Sequence, residues 1–127
     1  MSRVLFVGQI PETVDFTDPA IPPGFNAEKI NAGIAVAVAK FAERGWDADT
    51  LMIPPDETAG GLVEKTLAGK NYDCVVIGAG LRMPPKSLHL FERVVNAVHL
   101  AAPNARIAFN TRPDDSADAV ARWLEPG

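Results

Sequence analysis

Four short apolar runs punctuate the chain, and between them apolar residues recur every three or four positions. Val4 to Val7 predicts a first strand that ends at Gly8-Gln9. A proline-rich segment over 10–25 follows, and Asn26 then offers an N-cap while Glu28 suits the positive end of a helix dipole. Ile30, Ile34, Val38 and Phe41 recur at helical spacing before Gly45 supplies a stop. Ala48 to Ile53 alternates with Asp49 and Thr50, the pattern of a less buried edge strand. Thr58 to Ala68 predicts a second helix with Leu62, Val63 and Leu67 inward. Asp73 to Ile77 is apolar almost throughout, as expected of a central strand covered on both faces. Leu88, Phe91, Val95, Val98 and Ala102 define the inner stripe of a third helix. Arg106 to Phe109 reads as the fourth strand, and Ser116 to Leu124 as a last helix with Val120 and Leu124 inward.

Strands alternating with helices imply parallel pairing through right-handed crossovers. The expectation is one α/β domain over 1–127, a three-layer αβα sandwich around a four-stranded, mostly parallel sheet. Ile21-Pro22-Pro23, Ile53-Pro54-Pro55, Met83-Pro84-Pro85 and Arg112-Pro113 each stand shortly before a helix, where proline stiffens the entrance without losing a needed N–H.

Composition narrows the function classes. The 127 residues are 47% hydrophobic and 22% charged with a net charge of −4, ordinary globular usage. Tracking a phosphate backbone needs clustered Lys and Arg, so no nucleic-acid partner is expected. The longest uncharged apolar stretch, Ala32 to Ala39, falls far short of a membrane span, and the run after Ser2-Arg3 is too short for a leader core. A cytoplasmic setting and no membrane partner follow as expectations. The single cysteine, Cys74, rules out an internal disulfide and reads as a small buried hydrophobe.

Over nearly the whole length, the strand–helix alternation together with Val75-Val76-Ile77-Gly78-Ala79-Gly80 resembles small bacterial flavodoxin-like or Rossmann-like domains. The resemblance is one of fold. It implies a sheet order of 2-1-3-4 and transfers no catalytic residue.

With that order, ligands bind beyond the carboxyl ends of the strands, where helix beginnings also converge. Gly8-Gln9, the Gly78 to Arg82 segment and Asn110-Thr111-Arg112 lie on this edge. Lys40, Arg44, Lys65 and Lys70 sit at or just beyond helix ends, where the dipole accounts for them. Arg82 and Arg112 each follow a strand, and Lys86 lies one turn beyond Arg82. The candidate ligand site is therefore Gln9, Gly78, Gly80, Arg82, Lys86, Asn110 and Arg112, holding a phosphate- or carboxylate-bearing metabolite. Salt bridges to Asp18, Asp56, Asp114 or Asp115 are the competing explanation of the same cations.

Other chemistries fail at named positions. Met83 stands where a dinucleotide loop needs its third glycine. Gln9 and Gly78 occupy the acidic positions of a receiver domain. His89 and His99 share no face of the third helix, so no metal site and no cofactor are predicted. Glu12, Asp15 and Asp18 read as turn formers, in a segment long enough to be functional or a covering flap. A second expectation belongs to a different class: a non-catalytic homodimer through the outer faces of helix one (Ala32, Ala35, Val36, Ala39) or helix three (Ala97, Leu100).

Overall fold

The computed structural model describes residues 1–127. Strands β1 (Arg3–Gln9), β2 (Asp47–Ile53), β3 (Cys74–Ile77) and β4 (Arg106–Phe109) form one all-parallel sheet in the order β2-β1-β3-β4. Helices α1 (Ala27–Glu43), α2 (Ala59–Gly69), α4 (Leu88–Ala101) and α5 (Ser116–Ala121) connect and cover it, with a single-turn helix α3 (Ala79–Arg82) directly after β3. The doubly wound arrangement and its strand order are those expected, and the flavodoxin-like likeness is confined to the fold. No helix is long and apolar enough to cross a membrane.

The strand sequences explain their places. β3 is fully buried over Cys-Val-Val-Ile and β1 over five consecutive residues, because helices cover both their faces. β2 and β4 are the edges and keep polar residues. Leu5, Val7, Val75 and Ile77 pack with α2 and α4 on one face. Val4, Phe6, Cys74 and Val76 pack with α1 and α5 on the other. Burial pushes the Cys74 thiol up to about 12, the largest cause of its shift.

The helix boundaries follow their caps. Asn26 Oδ1 accepts the Lys29 N–H at 2.8 Å, and Gly45 takes φ +79°, the left-handed conformation that ends α1. Trp46 then buries its ring in the core and donates its indole N–H to Glu125 O at 2.9 Å, tying the chain's end to the α1–β2 corner.

Three inward assignments need correction. On α1, Val38 is 39% exposed and Ala37 takes the buried position, since the helix approaches the Pro113 turn through small residues. On α2, Leu62 lies outward while Val63 and Leu67 are buried. On α4 the buried residues are Leu90, Val94, Ala97 and Val98, whereas Leu88 is exposed. The α4 stripe is rotated because that helix packs against α2 as well as the sheet. Ala97, expected outward, is therefore inside, while Leu100 is exposed as expected.

Candidate functional site

The carboxyl ends of β1 and β3 open onto a cavity of about 120 Å³ on the α1 side of the sheet. Gly8, Gly78, Ala79 and Gly80 border it, so little side-chain volume intrudes from the strand ends. Phe6, Ile30, Ile34, Met52 and Met83 give it apolar walls. Its cover is the segment that the sequence marks as a long loop: Val14, Ala20, Ile21, Pro22 and Phe25 all line it. Gln9, Asn110, Thr111 and Arg112 supply the polar rim, and Arg112 is the only charged residue on the lining.

A second, polar cavity of about 280 Å³ abuts the first and shares Gln9, Val14 and Gly80 with it. Asp15, Asp18, Lys86 and Ser87 line this compartment.

The seven candidate residues thus gather at the expected edge, but in unequal roles. Gln9 spans both cavities and donates from Nε2 to Thr13 O and Oγ1, each at 3.2 Å. Gly78 borders the apolar cavity and Gly80 both. Asn110 is buried with each end of its amide occupied. Oδ1 accepts the Ala79 N–H at 2.8 Å, and Nδ2 donates to Ser116 Oγ at 2.9 Å. Its first duty is to fasten the start of α3 to the β4–α5 turn.

The cations are not pooled. Lys86 contacts Asp15 closely and lies 3.8 Å from Asp18. Those contacts raise its affinity for a proton, chiefly through the Asp15 hydrogen bond. Asp15 is correspondingly lowered to about 2, first by Lys86 and then by Thr17. Arg82 donates to Asn110 O at 2.8 Å and stacks 5.9 Å from the Phe109 ring, which itself packs on Phe91 of α4. Arg112 lies on the α1 side, where its Nε donates to Asp114 Oδ1 at 2.8 Å and both Nη nitrogens lack a protein partner. The two guanidinium groups therefore turn toward different faces of the sheet and do not converge on one ligand.

The loop carboxylates act as turn formers. Asp15 Oδ1 accepts the Thr17 N–H at 3.0 Å, and Asp18 Oδ1 accepts that of Ala20 at 2.9 Å. The cover falls on the segment expected to be functional or a covering flap, and what the turn residues left unread was its apolar underside. Its signal is Val14, Ile21 and Phe25, three large apolar residues in a stretch with no periodic element.

Neither a protein-family model nor a curated protein sequence matches this chain.

Proposed function

We propose that this is a cytoplasmic domain that binds a small organic acid, with the apolar body enclosed at the carboxyl edge and the carboxylate at Arg112. The observation that carries the reading is the chemistry of the lining: apolar walls and one arginine whose two Nη groups are unpaired. Such a fork suits a carboxylate, and apolar walls with few placed polar groups suit a compact organic body. Binding is favoured over catalysis because no carboxylate, histidine, cysteine or lysine lines that cavity, so it holds no general base.

Thermal unfolding in the presence of hexanoate, phenylacetate, acetate and inorganic phosphate tests this. The two larger acids should raise the midpoint and phosphate should not. A ligand at a hundred times its Kd adds about 2.7 kcal/mol. Gly80→Leu provides the blocking variant, because a Cβ built at Gly80 meets nothing within 4 Å and the glycine borders the cavity. It should keep its own stability and lose the ligand-induced shift. No shift with either larger acid, or an equal shift in Gly80→Leu, would overturn the reading.

A second reading, homodimerisation through α1, rests on the exposure of Val36 (42%) and Val38 (39%) beside Ala32, Ala35 and Ala39. With Ala97 buried, Leu100 is the one residue of the expected α4 pair still exposed. Sedimentation at micromolar concentration distinguishes the two: a monomer removes the dimer, and a dimer dissociated by Val36→Glu supports it.

A further inference from the structure

The segment covering the apolar cavity is attached to the rest of the molecule in an unusual way. From Val14 to Phe25 its backbone pairs with no other backbone outside itself and the preceding turn. The one bond its backbone takes from the body is at its end, where Lys29 Nζ of α1 donates to Gly24 O at 2.7 Å. Val14 N–H reaches Pro11 O at 3.2 Å, Asp18 N–H reaches Asp15 O at 3.2 Å, Ile21 N–H reaches Asp18 O at 3.0 Å and Phe25 N–H reaches Pro22 O at 3.3 Å. The Asp15 and Asp18 side chains close further turns inside it, and Pro19, Pro22 and Pro23 restrict its φ angles. It is thus internally braced and joined to the body by apolar contact, by Lys86 and, at its α1 end, by Lys29.

Its two ends differ from its middle. On the N-terminal side, Ile10 N–H donates to Ile53 O at 2.9 Å, and the Pro11–Thr13 turn is fixed by Gln9 and by Asn31 Nδ2 donating to Glu12 Oε2 at 2.9 Å. On the C-terminal side, Gly24 adopts φ +85° just before the Asn26 cap of α1. The segment therefore lies between one anchored turn and one glycine in the left-handed region, whose carbonyl oxygen is held by Lys29 Nζ at the start of α1. Its underside presents Val14, Ala20, Ile21 and Phe25 to the cavity. From its outer part, Asp15 and Asp18 both face Lys86, which belongs to the Pro85–Ser87 turn ahead of α4.

We infer that residues 14–25 form a hinged lid over the apolar cavity and that Lys86 latches it shut by holding Asp15 and Asp18. Opening breaks two ion contacts and exposes the apolar underside, no backbone–backbone hydrogen bond to the body has to break, and the Lys29 bond to Gly24 O stays at the hinge end. Such an element belongs to the low-stability end of a protein's opening free energies, where binding-site covers are found. The lid closes the same cavity as the binding reading uses, but its test needs no ligand, so either can fail alone.

Trapping a thiol under the lid supplies that test. Ala79→Cys places a thiol on the cavity lining by a small change at a buried position. The native Cys74 is buried against the opposite end of the α1 face and stays silent. N-ethylmaleimide, being uncharged, avoids steering by the charges under study. At low salt, adding Lys86→Met should raise the labelling rate roughly two- to fivefold, the span of exposed ion pairs. Molar NaCl should bring Ala79→Cys close to that faster rate and leave the Lys86→Met protein nearly unchanged. Asp15→Asn added to Lys86→Met should accelerate labelling little further, since both remove one contact.

Equal rates with and without Lys86 would overturn the latch. So would acceleration matching each variant's loss of global stability in urea, since labelling would then report unfolding. Should Ala79→Cys fold poorly, hydrogen exchange of the 14–25 peptide in wild-type and Lys86→Met protein decides the same question: faster exchange confined to that peptide is expected, and unchanged or uniformly faster exchange sinks the inference.

Discussion

Replacing Asn110 by alanine isolates the joint on which the carboxyl edge depends. The side chain is 2% exposed and serves two segments, accepting from Ala79 N–H at 2.8 Å and donating to Ser116 Oγ at 2.9 Å. Asn110→Ala orphans the N–H of a buried residue, which costs about 1–3 kcal/mol. Losing the Ser116 bond adds about 1 kcal/mol, since Ser116 Oγ keeps its own acceptor, Pro113 O, at 2.6 Å. Asn110 borders the apolar cavity, however, so water admitted there can satisfy Ala79 N–H. A loss of about 2–3 kcal/mol is therefore expected. Urea unfolding followed by the fluorescence of buried Trp46 measures it. Ser116→Ala completes a double-mutant cycle in which the pair should cost less than the sum of the singles, because one bond is counted in both. A loss below about 0.5 kcal/mol, or strict additivity, would refute the bridging role.

Gly33→Ala should lower the unfolding midpoint. Alanine gains about 1 kcal/mol of helix propensity, but its Cβ would stand 2.9 Å from Pro113 Cβ, against a ring that cannot swing aside; a raised midpoint would show that the turn gives way. Cys74 should resist N-ethylmaleimide in the native state and react fully in denaturant, its thiol being buried and pushed up to about 12; rapid native labelling would contradict the packing of β3. Stability should fall on acidification below about pH 4, the ordinary carboxylate range. Asp15 is lowered to about 2 by Lys86 and Thr17, Asp49 is lowered by Tyr72 and Lys70, and Asp56 by Thr58. The unfolded chain therefore binds more protons in that window, and stability rises with pH through it. A urea midpoint unchanged from pH 5 to pH 2 would count against those contacts.

The strands were legible because burial on two faces demands uninterrupted apolar runs, and β1 and β3 have them. Their alternation with helices led to the parallel sheet. The inward faces of helices were harder. A period of 3.6 marks an apolar stripe, but it does not say whether the closest neighbour is the sheet or another helix. On α4 the pull of α2 selects Leu90 and Ala97 over Leu88. On α1 the tight passage of Gly33 against Pro113 favours Ala37 over Val38. At each of these positions the small residue marks the closest approach, which hydrophobicity alone ranks last.

Charge pairing at the candidate site divides by distance along the chain. Arg112 and Asp114 stand two positions apart beside a helix entrance, so their contact follows from local geometry. Lys86 and Asp15 are separated by 71 positions and meet only because the 10–25 segment folds back over the sheet edge. With Lys86 engaged there and Arg82 turned onto Phe109, Arg112 is the one cation left facing the apolar cavity. Magnitudes then decide what such a site discriminates. An exposed ion pair contributes up to about 1 kcal/mol, whereas each buried methylene contributes about 0.8 kcal/mol. Two or three methylenes under Ile21 and Phe25 outweigh the arginine. Affinity within a series of monocarboxylates should therefore climb with the apolar body until the cavity is full, with the charge setting orientation more than strength.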